Sequence, residues 1–440
     1  MQIQQNYDTV PRRILSNLMT ALSAGVVPRS GAPYIAIGRQ GEVKALLSDL
    51  EIASEGGSTV RFLIGKYGSG KSFLLQLIRN YANEQGFVTS DCDLSPERRL
   101  CSGAGSGLAT YRELICNMAV KACPDGGALP VILSRWISSL QSNACQKGAE
   151  PGSAQMREEV QKQVYAVLNA LQNCVGGFDF ATAISAWYRG LCEDNAELQS
   201  AALRWLRGEY QNRTQARQYL EVGGVIHDDN WYDYLKLWSV FARQTGYAGF
   251  AVFIDECVNL YKISNRISRE KNYEMILTMF NDAVQGRSTG MSLFFGGTPQ
   301  FLEDTRRGLF SYEALRSRLA DGRFAAPDCE NRTGPVIRLR RLSDEELLAL
   351  ICRLSVLHGR YNNVELPVTD DDRIAFLREE TSRAGAESQL TPREMIRDYM
   401  TVLNLLMQNP NKQFSDFVAT VHTERSSAQP LSTEPNEIEF

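Results

Sequence analysis

The eight residues Gly65-Lys66-Tyr67-Gly68-Ser69-Gly70-Lys71-Ser72 constrain this chain more than any other stretch. They follow the apolar run Val60-Arg61-Phe62-Leu63-Ile64 and lead into Phe73-Leu74-Leu75, so they join a strand pattern to a helix pattern. Glycine packs nothing and tolerates backbone angles other residues avoid, so three glycines here are poor core material. Their spacing fits G-x-x-x-x-G-K-[ST] at every specified position, in the strand–loop–helix context that the motif needs. Backbone N–H groups of such a loop form a concave nest for phosphate oxygens, and the start of the following helix adds partial positive charge. Lys71 is placed to reach the β- and γ-phosphates of a nucleotide, and the Ser72 hydroxyl to ligate Mg²⁺. Gly65 to Phe73 are therefore the expected nucleotide-binding residues.

A phosphate-bound Mg²⁺ also needs a carboxylate, because the ion keeps several waters and takes few protein ligands. The run Phe250-Ala251-Val252-Phe253-Ile254 ends in Asp255-Glu256. Asp255 is the expected metal ligand, through water. Glu256, directly after it, is placed to polarise a water for in-line attack on the γ-phosphate, which favours hydrolysis over phosphotransfer. Thr298, after the apolar run at 291–295, is expected to hold that water or sense the γ-phosphate. Gly38-Arg39, with Glu42, marks a helix start whose preceding apolar residues suit an adenine pocket. Arg316, Arg318 and Arg323 follow, and a guanidinium supplied to a neighbouring subunit would stabilise transition-state charge, with Arg316 and Arg318 favoured. Arg393 sits in a helical first turn, where the dipole disfavours a cation, and is expected to reach over the nucleotide as a lid arginine.

Five short apolar segments without alternation read as strands covered on both faces, at Thr59–Ile64, Phe87–Asp91, Phe250–Ile254, Met291–Phe295 and Pro335–Leu339. That pattern predicts an α/β fold with a five-stranded parallel sheet. Residues 101–248 read as an inserted helical subdomain carrying all five tryptophans, which are expected to anchor helix–helix packing. Within it, "QMREEVQKQVYAVLNALQN" puts Val160, Val164, Val167, Leu168 and Leu171 on one face. The expected organisation is an N-terminal helix with the first part of the core (1–100), the insert (101–248), the rest of the core (249–341) and a C-terminal helical lid (342–422). A tail of disordered composition follows (423–440). Ser343…Glu346 and Thr391…Glu394 have capping-box spacing at helix starts in the lid.

The net charge of −4 argues against wholesale nucleic-acid binding, so any DNA contact must be a local basic surface. Arg306, Arg307, Arg338, Arg340 and Arg341 are the candidates for one. Ten scattered cysteines without a C-x-x-C pair, and three histidines, argue against structural zinc and for reduced thiols. With no apolar leader and no run long enough to span a bilayer, a cytoplasmic protein without membrane attachment is expected.

With these residues in hand, the chain resembles AAA+-type P-loop ATPases with an additional strand in the sheet. More narrowly, it resembles the ATP-binding proteins of bacteriophage-exclusion (BREX) defence loci, the BrxD-like family. The likeness rests on "GVVPRSGAPYIAIGRQGEV", "RFLIGKYGSGKSFLLQLIRNYA", "DCDLSPERRL", "ATYRELICNM", "ALRWLRGE" and "YEALRSRLADGRF". It implies ATP and Mg²⁺ as cofactors, a homo-oligomer, and action beside a helicase or other defence proteins on DNA. Two alternatives to a hydrolysing switch stay open on sequence grounds. One is a nucleotide-gated interaction module, the other a DNA-binding helicase loader with slow hydrolysis.

Overall fold

A computed structural model describes residues 10–101, 105–172, 174–322, 331–382 and 391–418. Its described residues form two compact units, one within Arg39–Arg340 and one drawn from Met1–Gly38 and Arg341–Phe440.

The larger unit is built on a five-stranded sheet in the order β2-β3-β4-β1-β5. The strands are β1 (Ser58–Ile64), β2 (Val88–Asp93), β3 (Phe250–Asp255), β4 (Met291–Gly297) and β5 (Val336–Arg338), and every pairing is parallel. All five expected strands are present, with ends displaced by at most two residues. Parallel strands need long crossovers, which cover both faces and explain the unbroken apolar runs. β3 and β4 are buried at every position. Phe62 stacks on Phe295, and Phe253 on Phe294, at ring separations of 5.1 and 5.0 Å.

The helices between β2 and β3 share one continuous hydrophobic cluster with the strands. All five tryptophans are buried there, and hydrogen bonds tie several to backbone. Trp231 Nε1 donates to Leu100 O (3.0 Å) and Trp205 Nε1 to Gly224 O (3.0 Å). Trp238 Nε1 donates to Tyr111 Oη (3.0 Å), and Tyr111 in turn to Leu206 O (2.8 Å), whereas Trp136 Nε1 is buried with no hydrogen-bond partner among the described residues. On the helix Ala154–Gln172, Val160, Val164, Leu168 and Leu171 are buried and Val167 is partly so.

In the smaller unit the helix Arg12–Ser23 packs Leu15, Leu18, Met19 and Leu22 among the C-terminal helices Asp344–Asn362 and Pro392–Gln408. The sequence pattern had attached this helix to the first part of the core. Its amphipathic face instead groups it with residues from the other end of the chain. Both capping boxes form, at Ser343/Glu346 and Thr391/Glu394. No described helix is long and apolar enough to cross a membrane. None of the nine described cysteines is in a disulfide, and burial pushes the Cys92 thiol up to about 12.

Candidate functional site

Register places the acidic strand ends and the glycine loop on one edge. Asp93 pairs with Asp255 across β2 and β3, Ile254 with Phe295 across β3 and β4, and Ile64 with Gly297 across β4 and β1. Strands lie ~4.8 Å apart, so the C-terminal ends of β1 and β3 are about two strand spacings from one another, across β4. β4, the strand between them, ends in two buried glycines, and neighbouring side chains fill the space beside them. A Cβ on Gly296 would collide with the Asp255 carboxylate, and one on Gly297 with the Phe301 ring.

The loop from β1 keeps the shape its glycines allow. Gly68 and Gly70 have φ of 75° and 87°, and Gly65 N–H donates to Gly297 O at 3.1 Å. The helix Lys71–Glu84 starts directly afterwards. Ser72 Oγ–H donates to Asp255 Oδ2 at 2.5 Å, which joins the loop to the end of β3 across 183 residues of sequence. The other oxygen of Asp255 accepts from Glu256 N–H at 2.8 Å. Lys71 Nζ donates to Gly65 O (2.9 Å) and Lys66 O (3.1 Å), across the mouth of its own loop. Burial lowers the Lys71 pKa, and the negative charges of Asp255 and Glu256 partly offset that. Asp255 is buried, whereas Glu256 is exposed and holds a left-handed backbone at φ 56°, a conformation that costs a non-glycine residue on the order of 1–2 kcal/mol.

Other expected residues fall in varied settings. Lys66 and Tyr67 are exposed on the loop, Phe73 is half-buried, and Ser69 is buried. Arg39, buried at φ 61°, is a strut beneath the loop. Its guanidinium donates to Ser69 O at 2.9 Å and to Arg340 O, and pairs with Glu42 at 3.3 Å. Thr298 lies just past β4, where its Oγ1 caps the short helix Pro299–Glu303 by accepting from Phe301 N–H at 3.4 Å. Arg316 is exposed and pairs with Glu313 at 3.8 Å. Arg318 donates to Asn281 Oδ1 (3.2 Å) and Ala314 O (2.6 Å). Gly38 and Arg393 belong to the smaller unit, Gly38 at φ 65° against Glu346 and Arg393 with its stem beside Gly25. Arg323 lies outside the described residues. Of the basic residues considered for DNA, Arg338 is held by Glu303 (3.1 Å) and Asp321 (2.9 Å), and Arg307 covers the Tyr261 ring.

Asp93 was missed from sequence, because the β2 pattern appeared to end at Asp91. As the cross-strand partner of Asp255 it forms a third carboxylate beside the doublet. Its side chain reaches solvent, yet desolvation against the strand ends, then the charges of Asp255, Asp91 and Glu256, push it up to about 6. A cation placed there would relieve that crowding.

The loop suits an anion. Ser69 Oγ is buried with no hydrogen-bond partner among the described residues, and a Cβ on Gly70 would meet nothing within 4 Å. A ligand rich in acceptors meets that orphaned hydroxyl and the lysine across the mouth. Ser72 Oγ and Asp255 Oδ2 are oxygen donors of the sort that a hard divalent cation takes.

A family model described as "BREX system ATP-binding protein BrxC/D" matches residues 10–422. A search of the curated proteins finds no match. The chain belongs to the BREX system ATP-binding protein BrxC/D family, and its five-stranded parallel sheet is that of a P-loop nucleotide-binding fold.

Proposed function

We propose, with a BREX ATP-binding protein as the premise, that this chain is an Mg²⁺-dependent ATPase whose hydrolysis switches an oligomer or a DNA-processing partner between states. The observation that carries the reading is the 2.5 Å hydrogen bond from Ser72 to Asp255, with Glu256 exposed at the next position.

In this reading the backbone N–H groups of residues 65–72 cradle the phosphates. Lys71 turns from the carbonyls it now holds to the β- and γ-phosphate oxygens. Ser72 and Asp255 would hold Mg²⁺, with Asp93 adding negative charge beside them. Bound Mg²⁺ would neutralise charge that develops on the phosphate oxygens. The Glu256 carboxylate takes a proton from a water as that water's oxygen bonds to the γ-phosphorus. The bond to the bridging oxygen breaks, and ADP leaves with its electrons. Thr298 orients that water, at the cost of releasing its helix cap.

Arg316 and Arg318 have no role in their own subunit's site, and in this reading they are offered to a neighbour. Turnover per chain is then expected to rise with protein concentration and to fall on Arg318→Ala. Concentration-independent turnover would remove the contribution in trans. A calorimetric titration of the full chain with Mg·ATP tests the reading itself. Wild type is expected to bind and Lys71→Ala to lose binding, whereas well-folded wild type that takes up no Mg·ATP would refute it.

A further inference from the structure

Beyond the nucleotide loop, a cavity of about 230 Å³ opens between the segments that leave β2 and β3. Arg99 comes from the first segment, and Asn259, Lys262, Ser264, Asn265 and Ser268 from the second. No acidic side chain among the described residues lines it. The guanidinium Nε of Arg99 is buried and has no hydrogen-bond partner among the described residues. A buried unpaired donor on a cationic group is costly, and a ligand that accepts from it removes the cost. Lys262 is exposed, so its charge is available at the rim. The floor is the start of the 19-residue helix Arg266–Val284, where Asn265 Oδ1 accepts from Ser268 N–H at 2.9 Å. That helix end adds positive potential to a site already holding two cations, two hydroxyls and two amides.

We propose that this cavity is a second phosphate-binding site, separate from the nucleotide loop. Its volume falls below the ~300–1,000 Å³ of sites that enclose a drug-sized ligand, so it takes a single phosphate group and leaves the remainder of any larger ligand outside. The chemistry is that of a tetrahedral oxyanion held by a guanidinium, an ammonium and hydroxyls. Such a group comes either from free inorganic phosphate or from a nucleic-acid backbone.

The cavity is wired to the acidic doublet. Asn259 N–H donates to Glu256 O (2.9 Å), Asn259 Nδ2 to Leu94 O (2.7 Å), and Leu94 N–H to Asp255 O (3.0 Å). An anion that fixes Asn259 and Lys262 therefore also fixes the backbone carrying Asp255 and Glu256. Occupancy of the cavity is expected to change ATP turnover, through the placement of Glu256, and to leave nucleotide affinity as it is.

The test uses the full chain with Mg²⁺ and a non-hydrolysable ATP analogue saturating the nucleotide loop. Inorganic phosphate and a short single-stranded oligodeoxynucleotide are the two probes. Lys262→Met and Ser264→Asp, both at exposed positions, and Arg99→Gln are compared with wild type. Wild type is expected to bind at least one probe. Each substitution is expected to weaken it about tenfold, with analogue affinity unchanged. Phosphate binding without the strand assigns the free ion. Strand binding whose salt slope becomes shallower by about 0.7 per charge removed assigns the backbone. Binding of neither probe, or binding that Lys262→Met and Ser264→Asp leave intact, overturns the proposal. Because analogue binding is read separately, loss of the nucleotide reading would be seen as such.

Discussion

Replacing Gly296 with alanine isolates the contact on which the proposed metal site depends. Gly296 has no left-handed backbone requirement, so the change acts through the added methyl group alone. That methyl would overlap the Asp255 carboxylate, with Asp255 Cγ at 2.9 Å and Leu75 Cδ1 at 3.0 Å. β4 is buried on both faces and cannot step aside, so the carboxylate must move. Overpacking of this kind costs about 1–3 kcal/mol. Displacing the carboxylate weakens its bonds from Ser72 Oγ and Glu256 N–H, and a hydrogen bond to a charged group contributes about 1.5–3 kcal/mol. Lower unfolded-state entropy returns about 0.4–1 kcal/mol. The net loss is roughly 2–4 kcal/mol, or a fall in Tm of about 3–6 °C for the unit within Arg39–Arg340. Thermal unfolding reads that loss. ATP affinity measured with Mg²⁺ and with chelator reads the site, and the Mg²⁺-dependent gain is expected to drop about tenfold. Gly286→Ala, at φ 69° in open space, serves as a control for backbone strain alone. Unchanged Tm in Gly296→Ala would refute the packing argument. Lowered Tm with an intact Mg²⁺-dependent gain would refute Asp255 as metal holder.

Three further outcomes follow from the same geometry. Asp93 is raised from 3.8 to about 6, so the native state holds an extra proton between those values. Apo stability should therefore fall as pH rises from ~4 to ~6, and Asp93→Asn should flatten that slope in pH-resolved unfolding. Arg39→Ala leaves Glu42 buried with, among the described residues, the 3.8 Å Arg332 ion pair, and breaking a buried pair costs about 3–5 kcal/mol. Denaturant unfolding should show that loss, relieved in part by Glu42→Gln, and ATP affinity should drop as Ser69 loses its support. Trp231→Phe removes the donor to Leu100 O from a fully buried site, which should cost about 1–3 kcal/mol in unfolding experiments.

Much of the fold was legible because strands covered on both faces read as short segments rich in β-branched and aromatic residues, an unbroken apolar run in β3 up to Asp255. The glycine loop was legible because its spacing is tied to one backbone shape. Asp255 followed from its place at the end of such a run. Three parts were not legible, each because the cause is non-local. Asp93 gains its meaning from cross-strand register with a residue 162 positions later, as the pairing with Asp255 shows. Gly296 carries no sequence signal of its own, and only the neighbouring carboxylate reveals why no side chain fits there. Arg39 looked like a helix-start residue beside an adenine pocket, and its bond to the Ser69 carbonyl is a tertiary fact. Periodicity likewise identified the helices between β2 and β3 as amphipathic but did not reveal that their apolar faces merge with the sheet's own core.

The account's central claim is that ATP held by the glycine loop is consumed by a water activated at Glu256. Phosphate release from saturating Mg·ATP by wild type and by Glu256→Gln tests it most directly, with nucleotide affinity measured on the same samples. A positioned general base contributes about 10²–10⁴-fold, so the variant is expected to bind ATP as wild type does and to release phosphate at least ~100-fold more slowly. Equal release by the two proteins would contradict the claim.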